Sequence, residues 1–194
     1  MLTAEDLDIP QGAKNVCSPP PRDTASQAAC WEGIEQGIFD VFSSDHCPFR
    51  FDDTAGKKHP KGETSFRWIP NGIPGVETRL PILFSEGVKK GRIDLQRFVA
   101  LTSTNHARLY GLYPRKGTIA IGSDADIALW DPEKSVTISQ SCLHHGADYT
   151  PYEGIEVTGW PVLTMVRGRT VVRDGAMVSA AASGRHVPRA KPVA

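Results

Sequence analysis

The pattern of apolar and polar positions is of two kinds, one before and one after Lys116. In the first part, short apolar runs suited to strands alternate with stretches that place apolar residues near one helical face. Residues 14–18 predict a short strand closed off by Pro19-Pro20-Pro21, and Phe39-Asp40-Val41-Phe42 predicts another. This second run passes into Ser43-Ser44-Asp45-His46-Cys47-Pro48, and Pro48, with no N–H to give a ladder, marks the strand's end. Between the two, Asp23 is placed to cap a helix over 24–36, with Ala28, Trp31 and Ile34 near one face and Gly37 to end it. Strand, loop, helix and strand in this order predict a βαβ unit of a parallel sheet, with Ser18 and Asp45 at strand ends on the same side.

Residues 50–67 are too polar and too long for a simple turn and predict a loop over those strand ends. Pro70-Asn71-Gly72-Ile73-Pro74-Gly75-Val76 then predicts backbone held in a fixed shape with amides exposed. Helices follow over 76–88, after Asp94 with Leu95, Phe98 and Val99, and from Asn105 as a cap to Gly111. Beyond Lys116 the pattern predicts two strands around Gly122-Ser123-Asp124, a further strand at 136–138, and a hairpin joining 163–166 to 170–172 through Gly168. The fold class is α/β, with a separate β unit starting near Tyr113. Residues 179–194 form a basic, flexible tail.

Composition narrows the function. The chain has 194 residues, 22 Lys+Arg against 22 Asp+Glu, and no net charge, so no basic block is available to neutralise a run of phosphates. That excludes nucleic acid as a partner. No apolar run approaches the roughly 20 residues a membrane helix needs, and the first residues lack a signal peptide's basic and apolar regions. Membrane attachment is not expected, and a cytoplasmic location is. The four cysteines are widely spaced without a Cys-x-x-Cys pair, so free thiols are expected.

Among polar clusters, Asp45 is open to two readings, a carboxylate that turns or caps the chain after a strand and one placed for chemistry where α/β folds carry it. His46 adjoins it, but its side chain points the other way if the strand continues, so it supports the site at most. His144-His145 with Cys142 resembles a metal cluster, yet neighbours on an extended segment face opposite sides and do not readily share one ion. Asp124 and Asp126 lack the rest of a calcium loop and read as turn residues. His59 and His106 read as solvated or capping residues.

Four motifs carry a resemblance. Cys17-Ser18-Pro19-Pro20-Pro21-Arg22, Ser43-Ser44-Asp45-His46-Cys47-Pro48-Phe49, Pro70-Asn71-Gly72-Ile73-Pro74-Gly75-Val76-Glu77 and Gly122-Ser123-Asp124-Ala125-Asp126-Ile127 stand in the order and spacing of the dihydropyrimidinases and hydantoinases. These are cyclic amidohydrolases of the metal-dependent superfamily. The resemblance implies a (β/α)8 TIM-type barrel with a small β-sandwich, and two zinc ions at the carboxyl ends of the barrel strands. It makes residues 1–113 the last strands and helices of the barrel and 114–178 the closing part of the sandwich. It implies that Asp45 binds one metal and shuttles protons, and that backbone groups of Ser18 and Asn71 hold a small cyclic amide or imide. The implied product is an N-carbamoyl amino acid, and the implied assembly is a homo-oligomer, a tetramer in the family.

Scaffold relatives of that family, the collapsin response mediator proteins, depart from the enzyme pattern at the aspartate and asparagine positions, which this chain keeps. Allantoinase and dihydroorotase share the Asp-His pair, but Cys47-Pro48-Phe49 and the Asn71 loop resemble dihydropyrimidinase more closely. The family's His-x-His, carboxylated lysine and further histidines have no counterpart here, and a whole barrel takes about 200 residues or more. The chain therefore reads as the carboxyl-terminal part of an amidohydrolase, with exposed strand edges that favour association. A catalytic zinc takes three protein ligands, and the resemblance gives this chain one. Purified and zinc-loaded by itself, it should not open dihydrouracil or hydantoin in an assay of ring absorbance.

Overall fold

A computed structural model describes residues 1–179 and 184–193. It is a mixed α/β structure with one small sheet. The chain forms two compact units: Met1–Gln36, Ser44–Arg79 and Thr137–Glu156 build the first, and Gly37–Ser43, Leu80–Val136 and the described part of 157–194 build the second. No described helix is long and apolar enough to cross a membrane.

In the first unit, α1 spans Thr24–Glu35, and the Asp23 carboxylate accepts the Ser26 N–H at 2.8 Å, as its N-cap position predicts. Residues 14–18 depart from the expected strand. Gly12–Asn15 is a turn of 3-10 helix, and only at Val16 does the backbone become extended. No ladder forms among the described residues there or at 39–42, because the hydrogen bonds go elsewhere: the Val16 carbonyl accepts the Gly72 N–H at 3.1 Å, and the Phe42 N–H, in the second unit, donates to Leu101 at 2.9 Å. Residues 137–156 return on themselves, with Ile138 exchanging backbone bonds with Ile155 and Gly154, both at 2.8 Å. Tyr149 donates from its hydroxyl to the Lys14 carbonyl at 3.1 Å.

In the second unit, α2 (Arg79–Leu83) continues in wider π-helical turns to Lys89, and α3 (Leu95–Val99) passes through similar turns into α4 (Asn105–Leu109). Asp94 caps α3 by accepting the Arg97 N–H at 2.7 Å. Asn105, expected as a cap, sits inside a continuous helix with φ −67° and ψ −36°, and its amide donates to the Asp40 carbonyl at 2.8 Å. The sheet has the order β1 (Ile127–Thr137), β2 (Glu156–Val166), β3 (Arg169–Arg173), β4 (Ala176–Met177). Instead of short strands at 117–130 and 136–138, one long β1 forms, and Pro132 is tolerated because β1 lies at the sheet's edge.

The β2–β3 hairpin turns through Arg167 and Gly168, φ 48° and 77°, the two left-handed residues a tight hairpin demands. Asp174-Gly175 repeats this geometry before β4, a strand that a reading of the Asp-Gly pair would have found. Asp124 and Asp126 bind Lys116, with Arg115 also on Asp124, and Asp126 accepts the Arg167 N–H at 2.8 Å, which is turn chemistry. In the segment expected to be a flexible tail, Ala190 donates to Gly111 at 2.8 Å and Val193 to Arg108 at 3.1 Å.

Aromatic packing joins this unit's helices to its sheet. Phe84 stacks on Trp130 with centroids 5.1 Å apart, and Phe98 meets both edge-on at 5.4 and 5.6 Å. Gly159 of β2 presses its backbone against this cluster: at φ +98°, a Cβ there would lie 2.1 Å from Phe84 Cδ1. Gly159→Ala should therefore destabilise by about 1–3 kcal/mol from overpacking, with the left-handed backbone adding on the order of 1 kcal/mol. Urea unfolding measures it, and an unchanged midpoint would contradict the packing described.

Candidate functional site

Ser18, Asp45 and Asn71 all belong to the first unit, and all three are exposed. The segments that carry them are bonded to one another. Cys47 N–H donates to the Ile73 carbonyl at 3.2 Å, and Gly72 N–H to Val16 at 3.1 Å. Gly72, at φ +145°, lies so close to the Asp45 segment that a Cβ would fall 2.4 Å from the Cys47 carbonyl oxygen. His46 completes the seam: its Nδ1 accepts the N–H of Gly75 at 3.0 Å and of Val76 at 3.2 Å, which makes Nδ1 the bare nitrogen of the ring. Asp45 itself has φ 45°, a left-handed conformation that costs a non-glycine residue on the order of 1 kcal/mol or more. Among the described residues its carboxylate has no hydrogen-bond or ion-pair partner. The Ser18–Pro19 peptide is cis.

Behind these segments lies Lys57, only 2% exposed. Its Nζ donates to the Val16 carbonyl at 2.6 Å and the Pro70 carbonyl at 2.7 Å, and stands 5.8 Å from the centre of the Phe49 ring. A tight turn delivers it: Lys57 N–H donates to Arg50 at 2.9 Å, and Gly56 is the only residue that fits, since a Cβ there would sit 2.2 Å from the Arg50 carbonyl oxygen. Among the described residues no carboxylate pairs with Lys57. Burial therefore pushes its pKa down from 10.5 to about 8, opposed weakly by the Cys17 and Cys47 thiols. Burial pushes the Cys17 thiol up, with Lys57 lowering it and the nearby Asp45 carboxylate raising it further. Cys17 and the other three cysteines are free.

The paired histidines take separate partners. His144 binds Glu77 through both its N–H and Nδ1, each at 2.7 Å, which ties the end of the Asn71 loop to residues 137–156. His145 turns its ring toward His46, centroids 6.3 Å apart, and among the described residues both its nitrogens are buried without a hydrogen-bond partner. Among the described residues no group of three His, Cys, Asp or Glu side chains is placed to hold a metal ion. The donors present do not fit a binuclear metal centre.

Sequence reasoning selected Ser18, Asp45 and Asn71 and missed what holds their segments in place. Lys57 sits in a polar loop beside Lys58, and nothing in the sequence distinguishes the buried lysine from its exposed neighbour, except Gly56 as a sign of a tight turn. His46 and Glu77 carried a signal through their places within two of the motifs.

The protein belongs to the amidohydrolase family, whose model matches residues 15–171; the family is metal-dependent. It is 44% identical over 192 residues to a D-hydantoinase of Rhizobium radiobacter, covering 98% of this chain and 41% of that one. It is 47% identical over 181 residues to a D-hydantoinase of Geobacillus stearothermophilus, covering 93% and 38%. The crystal structure of dihydropyrimidinase from Brevibacillus agri NCHU1002 superposes with a TM-score of 0.94 at 44% identity, over 100% of this chain and 42% of that one. The chain thus spans about two-fifths of the length of the relatives it matches.

Two outcomes follow from this geometry. His46→Ala leaves the Gly75 and Val76 N–H groups without their acceptor and should cost about 1–3 kcal/mol, with faster amide exchange at those two residues. Lys57 binds its proton less tightly folded than unfolded, so between pH 8 and 9 the unfolded chain holds more protons and stability rises with pH. The slope from this one group approaches about 1.4 kcal/mol per pH unit. Urea unfolding across that range should show the rise, and Lys57→Met should remove it; the raised Cys17 thiol opposes it only at higher pH.

Proposed function

We propose that this chain is the carboxyl-terminal part of a cyclic amidohydrolase that opens a dihydropyrimidine or hydantoin ring to an N-carbamoyl amino acid. The observation that carries this reading is the 44% and 47% identity, over nearly the whole chain, to two proteins called D-hydantoinase. Those are enzyme names, which supports an enzyme over a scaffold. The convergence of the Ser18, Asp45 and Asn71 segments in one unit agrees with a shared site.

In the reaction a water oxygen bonds to a ring carbonyl carbon, the carbon–nitrogen bond breaks, and the nitrogen leaves with a proton. Asp45 takes the proton from the attacking water and delivers it to that nitrogen. An exposed carboxylate without a partner among the described residues is free to do both. A cyclic imide presents carbonyl acceptors on either side of an N–H donor, which backbone groups of Ser18 and Asn71 complement. The proposed metal is zinc, with Asp45 as its ligand from this chain and the remaining ligands supplied by the upstream portion of the family's sequence, which this chain does not span. In this reading, residues 1–113 complete a (β/α)8 barrel and 114–178 belong to a β-sandwich. The assembly is a cytoplasmic homotetramer, a setting that four free thiols suit.

The test is complementation. The chain, co-produced with the portion of the Geobacillus D-hydantoinase that it does not match and supplied with zinc, should open hydantoin. Asp45→Asn in that complex should lower kcat by about 10²- to 10⁴-fold. A complemented enzyme indifferent to Asp45→Asn, or one that never acts on a cyclic amide, would overturn the reading.

A further inference from the structure

The two carbonyls that receive the Lys57 ammonium belong to peptides with a common property. The Val16 carbonyl shares its peptide with the Cys17 N–H, and the Pro70 carbonyl shares its peptide with the Asn71 N–H. Among the described residues neither N–H donates to anything, although both lie in the segments that carry the candidate site. In a trans peptide the carbonyl and the N–H point in opposite directions, so each N–H is directed away from the buried cation. A carbonyl that accepts from a cation draws electron density from its own N–H, which becomes the stronger donor.

We propose that Lys57 is a positioning residue that fixes and polarises the Cys17 and Asn71 amides as a pair of backbone donors for the carbonyl oxygens of a ring-opening substrate. The role in substrate binding rests on the function proposed above; the coupling of the lysine to the two amides does not. Lys57 suits this task because its charge is spent on peptide oxygens, where a carboxylate partner would have absorbed it. Phe49 covers it and the interior limits its exposure to 2%, so water screens it little. The titratable groups that bear on it are the Cys17 and Cys47 thiols, and Asp45 bears in turn on Cys17. Residues 70–72 bring none, and on its own loop Asp53, Lys58 and His59 flank it in sequence.

The experiment is a nuclear magnetic resonance titration of the 194-residue chain from pH 6 to 10, with Cys17 and Cys47 replaced by serine to silence the thiols. It follows the Lys57 Nζ and the amide nitrogens of residue 17 and Asn71 together. Both amides should move in one step that coincides with that of Nζ, below the usual lysine range. Lys57→Arg, which keeps its charge throughout, should abolish the step in both. An Nζ step that neither amide follows overturns the proposal, as does an amide step that survives the arginine. If the arginine variant does not fold, coincidence or its absence in the parent decides alone. No turnover is read, so a cyclic amide proving to be the wrong substrate leaves this result untouched.

Discussion

An ammonium group cut off from water needs oxygen atoms around it, and at Lys57 those oxygens are peptide carbonyls. That requirement organises the first unit. To reach Nζ, the chain after Asn15 must leave its helical turn and extend at Val16, and the loop before Asn71 must bring Pro70 to within 2.7 Å. Once both carbonyls are in place, the remaining seams close around them: Gly72 on Val16, Cys47 on Ile73, and His46 on Gly75 and Val76. Losing a partner of a buried charge costs more than the bond itself returns, so the arrangement tolerates little slack.

The second unit rests on a different kind of constraint. Phe84, Phe98 and Trp130 come from two helices and a strand, and their edge-on and stacked contacts leave room for only a bare backbone at Gly159. The Thr158 N–H beside it donates to the Ser85 hydroxyl at 3.1 Å, so β2 is attached to the helix by a hydrogen bond as well as by packing. In the first unit the decisive contacts are polar and directional; here they are contacts of shape.

What the sequence revealed follows the range of the forces involved. Local chemistry was legible: Asp23 and Asp94 cap their helices because a carboxylate three residues ahead of a free N–H is sufficient, and Arg167-Gly168 turns the hairpin by backbone preference alone. Elements that depend on distant partners were not. Residues 14–18 and 39–42 have strand composition, but where hydrogen bonds go to a loop or a helix carbonyl no ladder results. Asn105 has capping chemistry and spends it on Asp40, 65 residues away. The polar residues of the candidate site could be named from their motifs, whereas Lys57 could not, since burial is a property of the assembled unit and not of the lysine.

Asp45 carries one more implication. Its left-handed backbone is a conformation that glycine enters without penalty, so the folded chain would gain by exchanging the carboxylate for a hydrogen atom. An acid without a partner among the described residues, in a tense bend, is therefore maintained against the direction that durability alone would favour. Variants of this polypeptide chosen only for heat resistance should drift toward glycine at this one position, and in doing so give up the group on which its chemistry was proposed to depend.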